Sequence, residues 1–316
     1  MRFNRRKFLL LAGVSGLGMG VLGRQLIDRG NAGSHLSQQP AVQTHGTYPS
    51  PAAAQPAGDP LLRFVAIADT GTGYADQYAV AEAMNRYRQR HPYPLVILAG
   101  DNIYTNGEIS KVKEVFEEPY QPLLINGVKF HACLGNHDIR TDNGEPQLRY
   151  AGFNMPQRYY TFREKDVQFF ALDTNGNADW TAQLAWLEGE LKSSTAAWKI
   201  VFGHHPIYSS GHYGTNQALI DSLTPLFQKY GVQLYINGHE HNYERTQPIQ
   251  GTTYLITGIG GAQLRPVGRS PWTAFSTSRY GFSAIEIYPD RMEITAIGAD
   301  HQVFDRGTIQ LKTFKT

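Results

Sequence analysis

Apolar and polar positions follow two different periods along the chain from Leu61 onward. Short apolar runs rich in β-branched and aromatic residues predict strands at Arg63–Ala68, Leu95–Ala99, Lys129–Leu134, Val167–Leu172, Lys199–Phe202, Gln233–Ile236 and Thr253–Thr257. Between them, apolar residues recur three to four positions apart and predict helices at Ala75–Arg90, Ser110–Glu118, Thr181–Lys192 and Asn216–Lys229. Short strands separated by amphipathic helices indicate an α/β fold.

The last part of the chain has a different pattern. Strand-like runs at Phe282–Tyr288, Arg291–Ile297 and Gly307–Lys312 predict antiparallel β-structure, because a Pro-Asp turn joins the first two. The preceding segment Arg265–Tyr280 is polar and aromatic without periodicity, which predicts a loop over a pocket. We find no internal repeat, and we expect residues 61–316 to form a single domain.

The first 30 residues combine a basic head with an apolar run. Arg5, Arg6 and Lys7 are followed at once by Phe8–Gly23, a stretch that contains five glycines. This run is shorter than the roughly 20 residues that span a bilayer, which predicts an export signal and not a membrane anchor. Residues 4–9 read Asn-Arg-Arg-Lys-Phe-Leu and resemble the bacterial twin-arginine signal, which exports folded proteins; a basic Sec signal is the alternative.

We therefore expect residues 1–30 to be a twin-arginine signal peptide. It would direct the protein through the twin-arginine translocation machinery to the periplasm or the outside of the cell, with no membrane span in the mature protein. Residues 31–60 are rich in Ala, Pro, Gln, Ser and Thr and predict a linker, because such a segment cannot bury a core. Cys133 lies far from the signal, so no lipid anchor is expected.

Charge and cysteine content exclude two classes of protein. Residues 1–30 hold six of the 29 Lys and Arg but one of the 27 Asp and Glu, so the remainder is slightly acidic. A slightly acidic domain offers no basic face for nucleic acid. The single cysteine forms neither an internal disulfide nor a multi-thiolate zinc site. Any metal must therefore be held by His, Asp, Asn, Glu or Tyr.

Short polar clusters flanked by glycine follow the predicted strands. They are Asp69-Thr70-Gly71, Gly100-Asp101-Asn102-Ile103-Tyr104, Gly135-Asn136-His137-Asp138, Gly203-His204-His205-Pro206 and Gly238-His239-Glu240-His241. Each alone has an ordinary explanation, since Asp-Thr-Gly is a frequent turn and an isolated His-x-His is often a surface feature. Because ligands gather at the carboxyl ends of strands in open α/β sheets, the clusters together predict one polar site. Their carboxylates, amide, imidazoles and phenol suffice for two metal ions.

In this order the clusters resemble the calcineurin-like metallophosphoesterase superfamily. Gly-Asp-x-x-Tyr and the Thr-Gly after Asp69 are similar to purple acid phosphatases, in particular to the compact, tartrate-resistant-like type. The resemblance covers most of residues 61–250. It implies a four-layer αββα sandwich, in which two mixed sheets are flanked by helices, for a catalytic domain at 61–316. It also implies a metal-dependent phosphoric monoester hydrolase, an acid phosphatase with a small phosphate ester as substrate.

The resemblance further implies a role for each metal ligand. The implied ligands are Asp69, Tyr104 and His241 on the first metal, Asp101 as the bridge, and Asn136, His204 and His239 on the second. A phenolate ligand implies Fe(III) with a charge-transfer band in the first site, and the second metal would be a divalent Fe, Zn or Mn. Two such ions would supply the positive charge that a phosphate ester requires and a metal-activated hydroxide as nucleophile.

Three further residues are candidates for the reaction itself. His137 is expected beside the phosphoryl group, for leaving-group protonation or phosphate contact, and Asp138 is expected to orient the ring of His137 and raise its basicity. His212 resembles a family histidine that contacts substrate, although its spacing from His204 is shorter than in relatives. We interpret His205 as a structural or rim histidine.

The preferred interpretation is an exported acid phosphatase that hydrolyses phosphomonoesters. A phosphodiesterase or nucleotide pyrophosphatase on the same metals is the alternative, and rates on aryl monophosphate, diester and nucleotide substrates would separate the two. A catalytically idle phosphate- or metal-binding scaffold is a hypothesis of a different class. Replacing His137 would test it, because an enzyme would lose turnover and keep its metal.

Overall fold

The computed structural model describes residues 58–311, so the predicted signal peptide 1–30 and most of the predicted linker 31–60 lie outside the described residues. The strands are β1 (Leu62–Ile67), β2 (Leu95–Leu98), β3 (Lys129–Ala132), β4 (Tyr160–Glu164), β5 (Val167–Ala171), β6 (Trp198–Phe202), β7 (Leu234–Asn237), β8 (Tyr243–Thr246), β9 (Thr253–Thr257), β10 (Thr273–Thr277), β11 (Gly281–Ile287), β12 (Arg291–Gly298) and β13 (Val303–Gln310). The α-helices are α1 (Ala75–Arg90), α2 (Glu118–Leu124), α3 (Glu145–Leu148), α4 (Trp180–Ser193) and α5 (Gln217–Tyr230).

Two mixed sheets form the centre of the fold. The first has the order β13-β12-β11-β1-β2-β3, in which β1, β2 and β3 are parallel and the C-terminal strands are antiparallel, as predicted. The second has the order β10-β8-β9-β7-β6-β5-β4, with parallel strands β5, β6, β7 and β9 and antiparallel strands toward both edges. The expected arrangement of two mixed sheets flanked by helices is confirmed.

The inner faces of the two sheets share one core. Phe64 of β1 meets Phe169 of β5 edge to face, with ring centroids 5.2 Å apart. Trp198 of β6 donates its indole N–H to the carbonyl oxygen of Tyr288 at the end of the first sheet, at 3.1 Å. Strands β2, β7 and β9 are buried along their whole length, which is typical of strands covered on both faces. This packing holds the strand ends of both sheets in a fixed relation.

Amphipathic helices cover the outer faces of the sheets. Because side chains alternate along a strand, Phe169 of β5 faces the first sheet while Phe170 packs with Leu187 of α4 and Leu223 of α5. The first sheet is covered by α1, through contacts such as that between the rings of Tyr87 and Phe282, 5.7 Å apart. None of the helices in residues 58–311 is both long and apolar enough to cross a membrane.

Side-chain caps define where the outer helices of the second sheet begin. The Asp179 carboxylate accepts the Ala182 N–H, and the Asn216 side chain accepts the Leu219 N–H, which satisfies amides that have no partner inside the helix. Helix α5 ends at Gly231, whose φ of 68° is the left-handed conformation typical of this position. The predicted bounds of these two helices agree with the structure to within a residue or two.

Elsewhere the hydrophobic pattern does not predict the observed elements. The sequence does not predict β4, β8 or β10, and β10 lies inside the segment 265–280 that was expected to be a loop. Strand β8 contains the buried residue Glu244. Its burial is tolerated because the carboxylate accepts hydrogen bonds from the Ser210 N–H and the Thr273 hydroxyl. The predicted helix at 110–118 is instead a 3₁₀ turn at 109–111 and a π-helical turn at 113–117 that leads into α2. These elements depend on partners that are distant in sequence.

Candidate metal centre

The polar clusters singled out in the sequence converge at one end of the two sheets. The first sheet contributes Asp69, Tyr104, Asp101 and Asn136, which follow β1, β2 and β3, and the second contributes His204, His239 and His241, which follow β6 and β7. Because these strands run parallel within each sheet, their carboxyl ends lie at the same edge. The site is therefore built by loops from both sheets.

One group of donors surrounds the hydroxyl of Tyr104. This oxygen lies 3.0 Å from Asp69 Oδ1, 2.9 Å from Asp101 Oδ2 and 3.2 Å from His241 Nε2. Asp69, Asp101 and His241 each place a ligand atom within 4.8 Å of the others. Carboxylate oxygen, imidazole nitrogen and phenol oxygen are donors that iron, zinc and manganese accept.

A second group of donors lies on the other side of the Asp101 carboxylate. His204 Nε2 is 3.4 Å from Asp101 Oδ2 and 3.1 Å from Asn136 Oδ1. The ring of His239 meets the ring of His204 with centroids 5.1 Å apart. Asp101 Oδ2 is thus shared between the two groups.

The backbone turns sharply where it presents these side chains. Asp69 (φ 58°), Asp101 (φ 53°) and His239 (φ 68°) all adopt the left-handed region, which is uncommon for residues with a β-carbon. The second carboxylate oxygens are used by the backbone, since Asp69 Oδ2 accepts the His239 N–H and Asp101 Oδ1 accepts the His137 N–H, each at 2.9 Å. Asp69 Oδ1 and Asp101 Oδ2 are therefore left to face the donor groups.

The glycines of the motifs allow these loops to approach closely. A β-carbon at Gly135 would overlap the carboxylate and backbone nitrogen of Asp101, and one at Gly238 would overlap the carboxylate of Asp69. Both neighbours are held in place by the hydrogen bonds described above, so neither can move aside. Glycine is required here by the space between loops.

The orientation of the histidines fits metal binding. His204 Nδ1 donates to the carbonyl oxygen of Ala99 at 3.0 Å, and His241 Nδ1 donates to that of Gln263 at 2.8 Å. With Nδ1 engaged in this way, Nε2 of each ring faces the carboxylates and is the nitrogen available to a metal ion. Within residues 58–311, the ring nitrogens of His239 make no hydrogen bond, so they too are free to coordinate. The donor set therefore fits a metal centre.

The charges in the centre influence one another strongly. Burial alone would raise the pKa of Asp101, but His204 outweighs it and holds the pKa well below its usual range. Burial likewise opposes a charge on His204, and Asp101 outweighs it and raises that pKa. Burial, followed by the neighbouring histidines, lowers the pKa of His239 to about 2, which keeps its imidazole neutral. Burial, Asp69 and Asp101 raise the pKa of Tyr104, so a phenolate requires a cation beside it.

His137 lies at the open side of the centre. Its Nδ1 donates to the carbonyl oxygen of Thr105 at 2.6 Å, and its Nε2 lies 3.9 Å from Asp101 Oδ2. Arg140 Nη2 approaches the same Nε2 at 3.4 Å. The expectation that Asp138 orients this ring is wrong, because Thr105 makes the contact to Nδ1.

Asp138 instead holds the loops together beneath the centre. Its fully buried carboxylate accepts the backbone N–H groups of Asn102, Ile103 and Gly135 at 2.7 to 3.1 Å. The side chain of Gln147 also donates to it, at 3.0 Å. Asp138 thereby joins the segments that follow β2 and β3.

The loop after β6 places its aromatic residues differently from what the motif suggests. The exposed side chain of His212 contacts the ring of Tyr213, with centroids 4.9 Å apart. The ring of Tyr213 lies on that of His239, at 4.1 Å and an interplanar angle of 22°. The ring of His205 lies 4.6 Å from that of His239, and its Nδ1 is 2.8 Å from the Thr174 hydroxyl. Local sequence alone does not distinguish Tyr213 from its neighbour.

The fold and the site define a metallophosphoesterase. Residues 62–243 match the family model of the calcineurin-like phosphoesterases, and the chain belongs to that family.

Within the family, the relatives are acid phosphatases of the purple and tartrate-resistant kinds. The chain is 29% identical over 303 residues to tartrate-resistant acid phosphatase type 5 of Mus musculus, covering 81% of this chain and 90% of the relative. It is 32% identical over 242 residues to purple acid phosphatase 17 of Arabidopsis thaliana, covering 66% and 70%. A solved purple acid phosphatase from yellow lupin (Lupinus luteus) seeds shares the fold, with a TM-score of 0.68 and 22% identity over 79% of this chain and 53% of that chain. The resemblance indicated by the motifs is confirmed.

Proposed function

We propose that the protein is an exported acid phosphatase that hydrolyses phosphomonoesters at a dinuclear metal centre. The observation that carries this proposal is the position of Asp101 Oδ2. It lies 2.9 Å from the oxygen of Tyr104 in one donor group and 3.4 Å from Nε2 of His204 in the other. One carboxylate oxygen between two sets of nitrogen and oxygen donors is the arrangement that a pair of metal ions requires.

The proposed ligands follow the two donor groups. They are Asp69, Tyr104 and His241 for Fe(III), Asn136, His204 and His239 for a divalent Fe, Zn or Mn, and Asp101 for both. Bound metal ions would supply the positive charge that a phosphate ester needs and lower the pKa of water. The buried carboxylates favour this, since two anions in a low-dielectric site are costly without cations.

His137 is proposed to give a proton to the leaving group. Because Nδ1 donates to the Thr105 carbonyl, only the doubly protonated ring carries a transferable proton, and that proton is on Nε2, which faces Asp101 and the open side of the centre. His212 is proposed as a second substrate contact, and this role stays a prediction. Replacing either histidine with Ala is expected to lower turnover while the protein keeps its metal.

The export route is proposed from residues 1–30, through the twin-arginine machinery to the periplasm or beyond. The support is the order of a paired arginine and a short apolar run. Replacing Arg5 and Arg6 together with Lys is expected to retain the precursor in the cytoplasm, as seen by cell fractionation. Unchanged export of this variant would favour the Sec route.

The first experiment is metal analysis with a visible spectrum of the exported protein, beside the Tyr104→Phe variant. We expect iron and a broad visible band in the wild type, and loss of the band in the variant with an unchanged circular dichroism spectrum. A band that persists in the variant would contradict the role of Tyr104. Two equivalents of zinc or manganese without colour would keep the hydrolase but remove Fe(III).

The substrate class is tested with phenyl phosphate, diphenyl phosphate and a nucleoside diphosphate on the metal-loaded enzyme. We expect kcat/KM to be at least tenfold higher for the monoester than for the diester. The reverse preference would support the phosphodiesterase alternative. Absence of turnover on every ester, with metal bound, would support the scaffold hypothesis.

A further inference from the structure

Arg140 places a guanidinium at the open side of the candidate metal centre. It is the last residue of the 3₁₀ turn Asp138–Arg140, which directly follows the proposed ligand Asn136 and the proposed proton donor His137. Its side chain is exposed. Guanidinium groups bind phosphate oxygens through N–H donors that keep their charge at every relevant pH, so this residue is a candidate substrate contact.

One backbone carbonyl restrains both Arg140 and His137. The carbonyl oxygen of Thr105 accepts the Nδ1–H of His137 at 2.6 Å and the Nη1–H of Arg140 at 3.1 Å. The other ends of the two groups, His137 Nε2 and Arg140 Nη2, lie 3.4 Å apart. This separation is short enough for both nitrogens to reach oxygens of one phosphoryl group. Because both side chains are restrained before a ligand arrives, less side-chain entropy is lost on binding.

The contact with His137 leaves the guanidinium of Arg140 without a strong partner. At 3.4 Å, the approach of Nη2 to Nε2 is longer than a typical hydrogen bond of an N–H donor. Within the described residues, no Asp or Glu forms an ion pair with Arg140. Arg149 and Arg158, which follow it in the chain, both pair with Glu145. An anionic oxygen would be a better partner for Nη2, because hydrogen bonds of ionised groups are about twice as strong as neutral ones.

The position of His137 indicates which oxygen of a substrate Arg140 would meet. His137 Nε2 lies 3.9 Å from Asp101 Oδ2 and is the proposed proton donor to the ester oxygen of the leaving group. Arg140 Nη2 lies next to it and would therefore meet a neighbouring oxygen of the same phosphoryl group. In a phosphomonoester the neighbouring oxygens are free and share the negative charge. A phosphodiester carries a second organic group on one of them.

We propose that Arg140 determines specificity for phosphomonoesters by binding the free phosphoryl oxygen beside the one that faces His137. The inference rests on the proposed phosphatase function and names the residue that would distinguish monoesters from diesters at that same site. A monoester would replace the long contact between Nη2 and His137 with a charge-assisted hydrogen bond to Arg140. A diester would gain no such bond, because its second organic group removes the charge from that oxygen.

The test compares phenyl phosphate with methyl phenyl phosphate on the metal-loaded wild type and on Arg140→Ala. The two substrates share phenol as the leaving group and differ by a methyl group on one phosphoryl oxygen. We expect Arg140→Ala to lower kcat/KM about tenfold or more for the monoester and less than about twofold for the diester. Equal losses on both esters would overturn the proposal, because Arg140 would then only support Thr105 or the ring of His137.

Two further substitutions at Arg140 separate its charge from its hydrogen bonding. Arg140→Lys keeps the positive charge, whereas Arg140→Gln keeps an N–H donor without the charge. We expect the Lys variant to keep more of the preference for the monoester than the Gln variant. A Gln variant with the full preference of the wild type would overturn the proposal, because the charge would not be needed.

Arg149→Ala is the matched control. It removes a positive charge from the same part of the chain, where the exposed side chain of Arg149 pairs with Glu145. It should leave kcat/KM for both esters unchanged. A loss of monoester preference as large as that of Arg140→Ala would overturn the proposal, since the net charge of the segment would then explain the effect.

Binding without turnover separates this inference from the proposed function. Phenylphosphonate and its monomethyl ester differ at the same oxygen as the two substrates. By calorimetry on the metal-loaded protein, at a pH where phenylphosphonate is a dianion, Arg140→Ala should reduce the affinity advantage of phenylphosphonate over the ester about tenfold. An unchanged advantage would overturn the inference even in an active phosphatase. A reduced advantage in a protein that hydrolyses no ester would support the Arg140 contact and refute the proposed function.

Discussion

The carboxylate of Asp101 contacts both donor groups of the centre and the backbone. One carboxylate oxygen accepts the His137 N–H, and the other faces Tyr104 and His204. The left-handed backbone of Asp101 is unfavourable for a residue with a side chain, and the close approach of Gly135 leaves no space for adjustment. Each oxygen therefore has a defined partner, and small side-chain changes at this point act on both donor groups at once.

At the same scale, His131 on β3 makes the fold sensitive to acid. Its ring is stacked on Phe162 at 3.8 Å, and its buried Nδ1 has no hydrogen-bond partner within the described residues. Burial, with a smaller effect of Lys129, lowers its pKa from 6.5 to about 4. Between these two values the unfolded chain binds more protons than the folded one, so the free energy of unfolding decreases as pH falls.

We expect His131→Phe to remove this part of the acid sensitivity, because a second phenyl ring can stack on Phe162 without titrating. Between pH 7 and pH 4 the wild type should lose up to about 3 kcal/mol of unfolding free energy more than the variant. Urea titrations at both pH values, with a chelator in every sample to exclude metal effects, measure the difference. Parallel pH profiles for the two proteins would show that His131 does not titrate in this range.

At the scale of elements, buried carboxylates hold the short loops that follow the strands. The loop after β6 is held by Glu240 and so follows the segment after β7, although the two are separated by α5. The same principle applies to Asp138, which joins the segments after β2 and β3. Buried carboxylates that accept several backbone N–H groups fix loops whose own sequence has no preferred conformation.

Glu240→Gln is expected to loosen the loop that carries Tyr213. The amide keeps the size of the carboxylate but turns an N–H group toward one of the N–H donors, which should cost about 1–3 kcal/mol of unfolding free energy. Chemical denaturation with urea measures this loss.

Glu188→Gln provides the comparison for this substitution, since Glu188 is an exposed partner of Lys229 on the helical surface. It should leave the unfolding free energy essentially unchanged. Equal unfolding free energies for Glu240→Gln and the wild type would show that Glu240 does not hold the loop.

For the whole molecule, the candidate metal centre is built from loops of both sheets. The first sheet supplies the proposed ligands after β1, β2 and β3, and the second supplies those after β6 and β7. The shared core between the sheets brings these ends together even without metal, as the contact of Phe64 with Phe169 illustrates. Metal bound to residues of both sheets would add its binding energy to this packing, because it binds the folded state only.

Chelation is therefore expected to lower the melting temperature while unfolding remains a single transition. At a metal concentration of about a thousand times Kd the loss is about 4 kcal/mol, which corresponds to roughly 10 °C for a domain of this size. Differential scanning calorimetry before and after EDTA, with recovery on adding metal, measures it. Asp101→Asn should be far less sensitive to chelation, and equal sensitivity in this variant would contradict a bridging role for Asp101.

Three features can be predicted from the sequence: the α/β fold class, the antiparallel tail and the set of candidate ligands. Strands with a continuous apolar pattern, such as Val167–Leu172, must be buried, and polar clusters directly after them must lie at strand ends. These are local properties, because periodicity and the order of residues along the chain suffice to predict them.

Which side chains meet depends on how the two sheets pack. In the structure the ring of Tyr213, and not that of His212, stacks on His239. The ring of His137 donates to the carbonyl oxygen of Thr105, and Asp138 accepts backbone N–H groups of neighbouring loops. The tertiary structure also turned part of a predicted loop into β10, whose pairing with β8 is distant in sequence. The reason is physical: side-chain direction and strand pairing depend on the packing of two sheets against each other, which no local pattern encodes.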